Sequence, residues 1–197
     1  NGGTITNSVF LTNSAGTGGA IYHFIGNLVI EGCRFTDNFT TGSFNDGGAL
    51  YSAGLASLTV TNSTFERNRT GRYGGAINTQ STGTITASRF VGNTAGLGGG
   101  AIAVAAIPLT IVNSSFSENS AAGVGFGAVV GGGAIRSQVN ATVEIRGSAL
   151  FMNSAAELGG AILQEDNGTI RIINSTLAQN TAGDDGAALY VMGGAAS

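Results

Sequence analysis

Charge is scarce in this sequence. Lys, Arg, Asp and Glu together make up 10% of its 197 residues, against roughly a quarter in an average soluble domain. The eight Lys/Arg residues are scattered and the net charge is −3, so there is no basic stripe to neutralise phosphates and no nucleic-acid partner is expected. The single cysteine, Cys33, has no internal partner for a disulfide, and the single histidine, His23, cannot build a His-rich metal centre. Thiols therefore do not report the redox compartment. No run of about 18 apolar residues occurs, so no stretch is long enough to cross a bilayer as a helix, and no membrane insertion is expected. The chain opens at Asn1 without an initiator Met or a signal-like apolar stretch, which reads as a mature product or a fragment.

Glycine is abundant, at 34 residues, and 42% of positions are apolar with a mean hydropathy of +0.24. That is enough to fill a long, narrow core in one domain spanning residues 1–197. Low charge combined with high glycine points to a repetitive β architecture.

The repeat carries the fold. F-x-x-N occurs at Phe10/Asn13, Phe35/Asn38, Phe65/Asn68, Phe90/Asn93 and Phe116/Asn119, with Leu in place of Phe at Leu150/Asn153 and Leu177/Asn180. Each is followed by G-G-A-[IL], centred on Ala20, Ala49, Ala76, Ala101, Ala134 and Ala161, and by a G-A-A-L variant at Ala188. Five residues before each Phe or Leu stands Ile5, Ile30, Val60, Ile85, Ile111, Ile145 or Ile172, and two residues earlier Leu28, Leu58, Leu109, Val143 and Ile170 recur. That spacing is strand-like, one face core and the other wet. Successive alanines are 29, 27, 25, 33, 27 and 27 residues apart, too close for four-stranded propeller blades, and the leucine-rich signature is missing. The pattern predicts an all-β, right-handed, single-stranded parallel β-helix (β-solenoid) of about seven coils, roughly 34 Å long at ~4.8 Å per coil.

In such a stack equivalent residues form ladders: Phe or Leu inside, Ile and Val on the adjoining wall, Gly-Gly at a tight corner, and Asn in a left-handed corner bonded to its counterparts. The Phe-to-Ala stretch is longest in coils two and five, so the insertions Phe39 to Asp46 and Ala121 to Gly131 are expected to bulge on one side. In the second, Val124, Phe126, Val129 and Val130 are apolar for a loop, which makes them candidates for packing over the rod or for lateral contact with a neighbour.

Each terminus carries half a coil and no amphipathic cap. Joining the last residues of one copy to the first of another reproduces a coil like Gly47 to Phe65. Bare solenoid ends expose strand edges, so copies are expected to stack head to tail, with Gly3, Ile5 and Phe10 of one meeting Leu189, Val191 and Met192 of the next. The other reading is an excerpt from a longer solenoid.

The alternating F-x-x-N and G-G-A-[ILV] signatures resemble the repeats of the chlamydial polymorphic outer-membrane proteins, and similar repeats occur in large secreted bacterial β-helix proteins. The resemblance covers essentially the whole chain and rests on core and corner residues. It implies an extracellular or cell-surface location and a passenger-type adhesive role, with glycans or a host surface as partners.

Chemistry is sparse. Asp46 and Asp185 share one repeat position but lie about five rungs, ~24 Å, apart. Asp37 with Arg67, and Glu144 with Arg171, fall in shared columns and read as cross-rung surface pairs. Asp184/Asp185 and Glu165/Asp166 are carboxylate turns able to hold Ca²⁺, though turns of this kind are commoner than sites. Three coils carry T-x-T pairs reminiscent of flat ice-binding faces, but charged residues interrupt the array. Seven N-x-[ST] sequons occur, of which Asn140 and Asn167, outside the Asn ladder, are the candidate glycosylation sites. The expected function is a non-enzymatic structural subunit of an extracellular filament, without cofactor or metal. An adhesin segment is the alternative, and a polysaccharide-binding or polysaccharide-degrading β-helix the minor one.

Overall fold

In the computed structural model, which describes residues 2–43, 45–54, 56–123, 128–138 and 140–193, seven coils stack into four parallel sheets of seven strands each. Sheet A holds the longest strands, Gly2–Thr6, Gly26–Glu31, Ala56–Thr61, Thr82–Thr86, Pro108–Val112, Thr142–Arg146 and Thr169–Ile173. Sheet B carries the Phe/Leu position in three-residue strands such as Thr64–Glu66, and sheet D follows the G-G-A corner with strands such as Ile77–Thr79. Sheet C is built of two-residue strands such as Thr94–Ala95.

Register runs one to one through the stack. Ile5, Ile30, Val60, Ile85, Ile111, Ile145 and Ile172 are successive partners in sheet A. The phenylalanines stack face to face, with centroids 4.5, 4.6, 4.9 and 4.7 Å apart from Phe10 to Phe116. Ile21, Leu50, Ile77, Ile102, Ile135, Ile162 and Leu189 make the third apolar ladder. In the interior coils these side chains are fully buried, each contributing about 1.5–3 kcal/mol relative to exposure. Ile5, Phe10, Ile172, Leu177 and Leu189, in the end coils, are only partly covered.

The asparagine ladder forms inside the rod. Asn38, Asn68, Asn93, Asn119 and Asn153 are fully buried, each Nδ2 donating to Oδ1 of the next asparagine and to the Phe carbonyl one coil back. The expectation that Asn itself takes the left-handed corner is corrected: the residue before it does, with φ of 52 to 59° at Thr12, Asp37, Arg67, Glu118, Met152 and Gln179. Turning one residue early points the asparagine inward, where its amide meets the next coil. A second left-handed column precedes the Phe by three residues, at positions such as Asn62 and Asn113, and a third is the first glycine of each G-G-A corner.

A serine ladder accompanies it. Ser63, Ser88, Ser114, Ser148 and Ser175 each accept the backbone N–H of the preceding coil and donate to a carbonyl two residues back. Cys33 occupies the same column, its thiol directed at the Glu31 carbonyl at 3.3 Å.

Candidate contact surfaces

The side of the rod between sheets C and D has a second, smaller buried layer. Tyr73, Gly98, Gly131 and Leu158 bridge from coil to coil and lay a ribbon over the outer face of sheet D. There Asn78, Ala103, Arg136 and Leu163 are buried although they point away from the main core. Arg136 is the only cation so enclosed among the described residues. Its Nη1 donates to the carbonyls of Leu97 at 3.0 Å and Val129 at 2.6 Å, its Nε to Glu165 Oε1 at 2.7 Å, and its guanidinium lies 4.7 Å from the Tyr73 ring centroid. The side chain therefore ties the coil-five insertion to coils three, four and six.

Part of the coil-five insertion lies in this layer. Val130 is fully buried against Ala121, Ala155 and Leu97, and its N–H donates to Glu157 Oε2. It packs over the rod, and burial leaves it no surface for a neighbour. Val129 is half-buried, and Val124 and Phe126 lie outside the described residues. Glu165, read as a candidate calcium ligand with Asp166, is instead engaged by Arg136. Asp184 and Asp185 are exposed, and among the described residues no three His, Cys, Asp or Glu side chains gather.

The end-contact residues fall on opposite faces of the rod. Gly3, Ile5 and Phe10 lie in coil one, Gly3 exposed and the other two half-buried; Leu189 and Met192 are half-buried in coil seven and Val191 is 55% exposed. The coil-one face carries more apolar surface than the repeat signalled. Tyr22 stacks on Tyr51 with centroids 5.3 Å apart, and Tyr22, Phe24 and Ile25 are more than half exposed beside a shallow hollow of about 260 Å³ that Gly3 also lines. The signal was Phe24-Ile25, where other coils carry smaller or more polar pairs such as Ala53-Gly54 and Gln80-Ser81.

A larger open groove of about 540 Å³ runs along the flank, bordered by Thr40, Thr41, Arg69, Thr70, Gly96 and Gly123. The hydroxyls of Thr40 and Thr70 share a hydrogen bond at 2.9 Å, and the Arg69 guanidinium lies 4.5 Å from the Phe39 ring centroid. Threonine hydroxyls, bare backbone and one cation line the groove, and more of its exposed surface is apolar than polar.

The charged columns sit where the repeat placed them. Arg67 grips Asp37 with Nε and Nη2 at 3.0 and 3.1 Å and also reaches Glu66, which Arg34 meets at 2.9 Å. Glu144 takes Arg146 and, at 3.5 Å, Arg171. The hydrogen bond from Arg34 holds the Glu66 carboxyl below the usual glutamate range. Burial pushes Asp46 above the usual aspartate range, against the pull of Arg72 at 3.6 Å and the N–H of Tyr73. His23 is lowered by burial; its Nδ1 pairs with Ser52 Oγ at 2.8 Å, which donates onward to Ser81. Ser52 is wholly buried and closed to any substrate.

The candidate glycosylation residues Asn140 and Asn167 are both exposed in left-handed turns. Asn62, Asn113 and Asn174 are exposed as well, a column the sequence reading passed over. Asn38 and Asn68 are buried in the ladder.

A protein-family model described as a right handed beta helix region matches residues 3–197. No curated protein and no solved structure matches the chain.

Proposed function

The chain belongs to the right-handed β-helix family, and from that premise we propose that it is a structural rod of a secreted or surface-exposed protein, non-catalytic, touching its surroundings through its flanks and ends. The observation that carries this reading is the unbroken register: every one of the four sheets passes through all seven coils, so main-chain hydrogen bonds run along the axis from one end to the other. The carboxylates of Asp37, Asp46, Glu66, Glu144 and Glu165 support it, because each is engaged by an arginine within the scaffold.

The finer reading is a filament of copies stacked head to tail. The strands of coils one and seven present open edges, and the apolar ladders reach both faces with their last members partly exposed. Unpaired strand edges next to apolar surface favour addition of another rung. An open-ended contact of this kind is heterologous and propagates. The adhesin reading rests instead on the flank groove and the coil-two and coil-five insertions.

Electron microscopy of the 197-residue chain with sedimentation over a hundredfold concentration range tests these readings together. Filaments with coil spacing continuous along the axis, lost on Ile5→Lys or Val191→Lys, are the expected result for head-to-tail stacking. Monodisperse short rods would sink the homopolymer and leave a stretch of a larger surface protein, for which a glycan array with and without the coil-five insertion is the next measurement. Turnover of a pectic or alginate polymer would overturn the non-catalytic reading.

A further inference from the structure

The second glycine of the G-G-A corner is required by a neighbour. Its φ is not left-handed, so other residues could adopt the backbone; space is what excludes them. A Cβ built on Gly19 would lie 2.1 Å from the carbonyl oxygen of Gly48 in the next coil, and one on Gly48 would lie 2.0 Å from that of Gly75. The same contact repeats for Gly75 with Gly100 at 2.0 Å, Gly100 with Gly133 at 2.1 Å, Gly133 with Gly160 at 2.2 Å and Gly160 with Ala187 at 2.4 Å. All are well inside the roughly 3 Å at which a carbon and an oxygen overlap. In each case the obstruction comes from the coil on the C-terminal side.

Coil seven breaks the column. It carries Ala187 where the other six coils carry glycine, exposed on the outer face of the stack. We infer that Ala187 bars any further rung from laying a G-G-A corner in register on the coil-seven face, because its methyl occupies the place of the incoming carbonyl. A rung that adds there must pair through sheets A, B and C with its corner displaced, and the bond that would run from the Ala187 N–H to the incoming first glycine is lost. The equivalent bonds are made throughout the rod, as in Gly48 N–H to Gly74 O at 3.0 Å and Gly160 N–H to Gly186 O at 3.2 Å.

The two faces are therefore unequal. On the coil-one face the need for glycine falls on the rung that arrives; on the coil-seven face the obstruction belongs to this chain. The partner concerned is a β-helical rung, from a second copy of this chain above all, so the inference deepens the rod reading and rests on it. Ala187 acts as a brake on end-to-end growth, since one missing corner weakens every head-to-tail junction while leaving the chain's own seven coils intact.

The test is a tandem protein, two full 197-residue copies joined end to end, with and without Ala187→Gly in the first copy. Amide exchange is read at residue 187 of that copy and compared with Gly160. With Ala187 the amide is expected to exchange about 100-fold faster than that of Gly160, and with Ala187→Gly the gap is expected to close to about tenfold or less. Equal rates in the two tandems, whether both slow or both fast, would overturn the assignment: in the first case the corner stacks despite the methyl, in the second something else keeps it open. The rod reading is judged separately, by whether either tandem appears in micrographs as a single rod of twice the length.

Discussion

The side-chain amide of Asn68 donates to Oδ1 of Asn93 at 2.9 Å, and the backbone N–H of Asn68 donates to the same oxygen at 3.0 Å. Asn68 Oδ1 in turn receives both donors of Asn38, and its Nδ2 also satisfies the Phe35 carbonyl at 3.1 Å. One buried side chain thus closes the hydrogen bonding of three coils. Replacing it leaves donors and an acceptor unpaired in a dry interior, at about 1–3 kcal/mol each. Asn68→Ala is expected to lose about 3–5 kcal/mol in denaturant unfolding, and Asn13→Ala, on an exposed end coil, about 1 kcal/mol or less. Equal losses would show that the ladder adds nothing beyond local turn structure.

Gly75→Ala tests the corner independently of any partner. The added methyl meets the Gly100 carbonyl and, at 2.7 Å, the backbone of Thr94, rigid on both sides. The variant is expected to fold with its stack opened between coils three and four or not at all, with a loss above about 3 kcal/mol. Gly16→Ala, with nothing within 4 Å, is expected to leave the unfolding midpoint unchanged. A folded, fully stable Gly75→Ala protein would refute the steric account of the repeat.

These two columns also mark how far sequence reasoning reaches. Phe, Asn and the Gly-Gly-Ala corner are legible because the same residue must recur where identical environments stack, and alternation in sheet A follows from a one-sided core. The two-residue strands of sheet C are not legible, since a Ser-Ala or Arg-Thr pair carries no periodicity. The left-handed position before each Asn is occupied by Thr, Asp, Arg, Gly, Glu, Met and Gln, so composition gives no hint of it. Burial of Arg136 and Val130 was hidden for a different reason: it arises from the ribbon through Tyr73, Gly98, Gly131 and Leu158, whose four residues share no type that would mark them as a column in the sequence. The serine column was readable in principle, and Cys33 then stands out as its exception.

Cys33→Ser is expected to be neutral or stabilising by up to about 1 kcal/mol, because a hydroxyl makes the strong bonds of its column where the thiol makes long ones. In the unmodified protein Cys33, 2% exposed, should react with a thiol reagent only as fast as coils one and two open. Both are checked by comparing unfolding midpoints and native-state labelling rates. A Cys33→Ser variant destabilised by more than about 1 kcal/mol would remove the cysteine from the serine ladder's logic.

Acid titration should show two opposing contributions. Asp46 has a raised carboxyl because burial disfavours its charge, so the folded state binds its proton more readily than the unfolded chain, and stability falls as pH rises from the ordinary aspartate pKa through the raised one. Glu66 is lowered by its bond from Arg34; its contribution is present above the ordinary glutamate pKa and fades as pH drops through the lowered one. Asp46→Asn is expected to remove the first slope and Glu66→Gln the second, in urea midpoints measured from pH 3 to 7. Slopes of the same sign for the two wild-type groups would contradict these environments.

Arg136 offers the sharpest test of the second buried layer. Its guanidinium serves two carbonyls, a carboxylate and an aromatic face at once, a geometry a lysine ammonium cannot reproduce. Arg136→Lys should therefore behave like Arg136→Met and not like wild type, each losing about 3 kcal/mol because buried polar groups lose their partner. The damage should stay local: coils one and two, which do not touch it, keep their amide protection, while the coil-five insertion, held down by the bond to the Val129 carbonyl, becomes the first site of cleavage by a nonspecific protease. Glu165→Gln added to Arg136→Met is expected to recover part of the loss, since the half-buried negative charge goes with it. If proteolysis instead began at a chain end, with the insertion still protected, Arg136 would not be what fastens it to the rod.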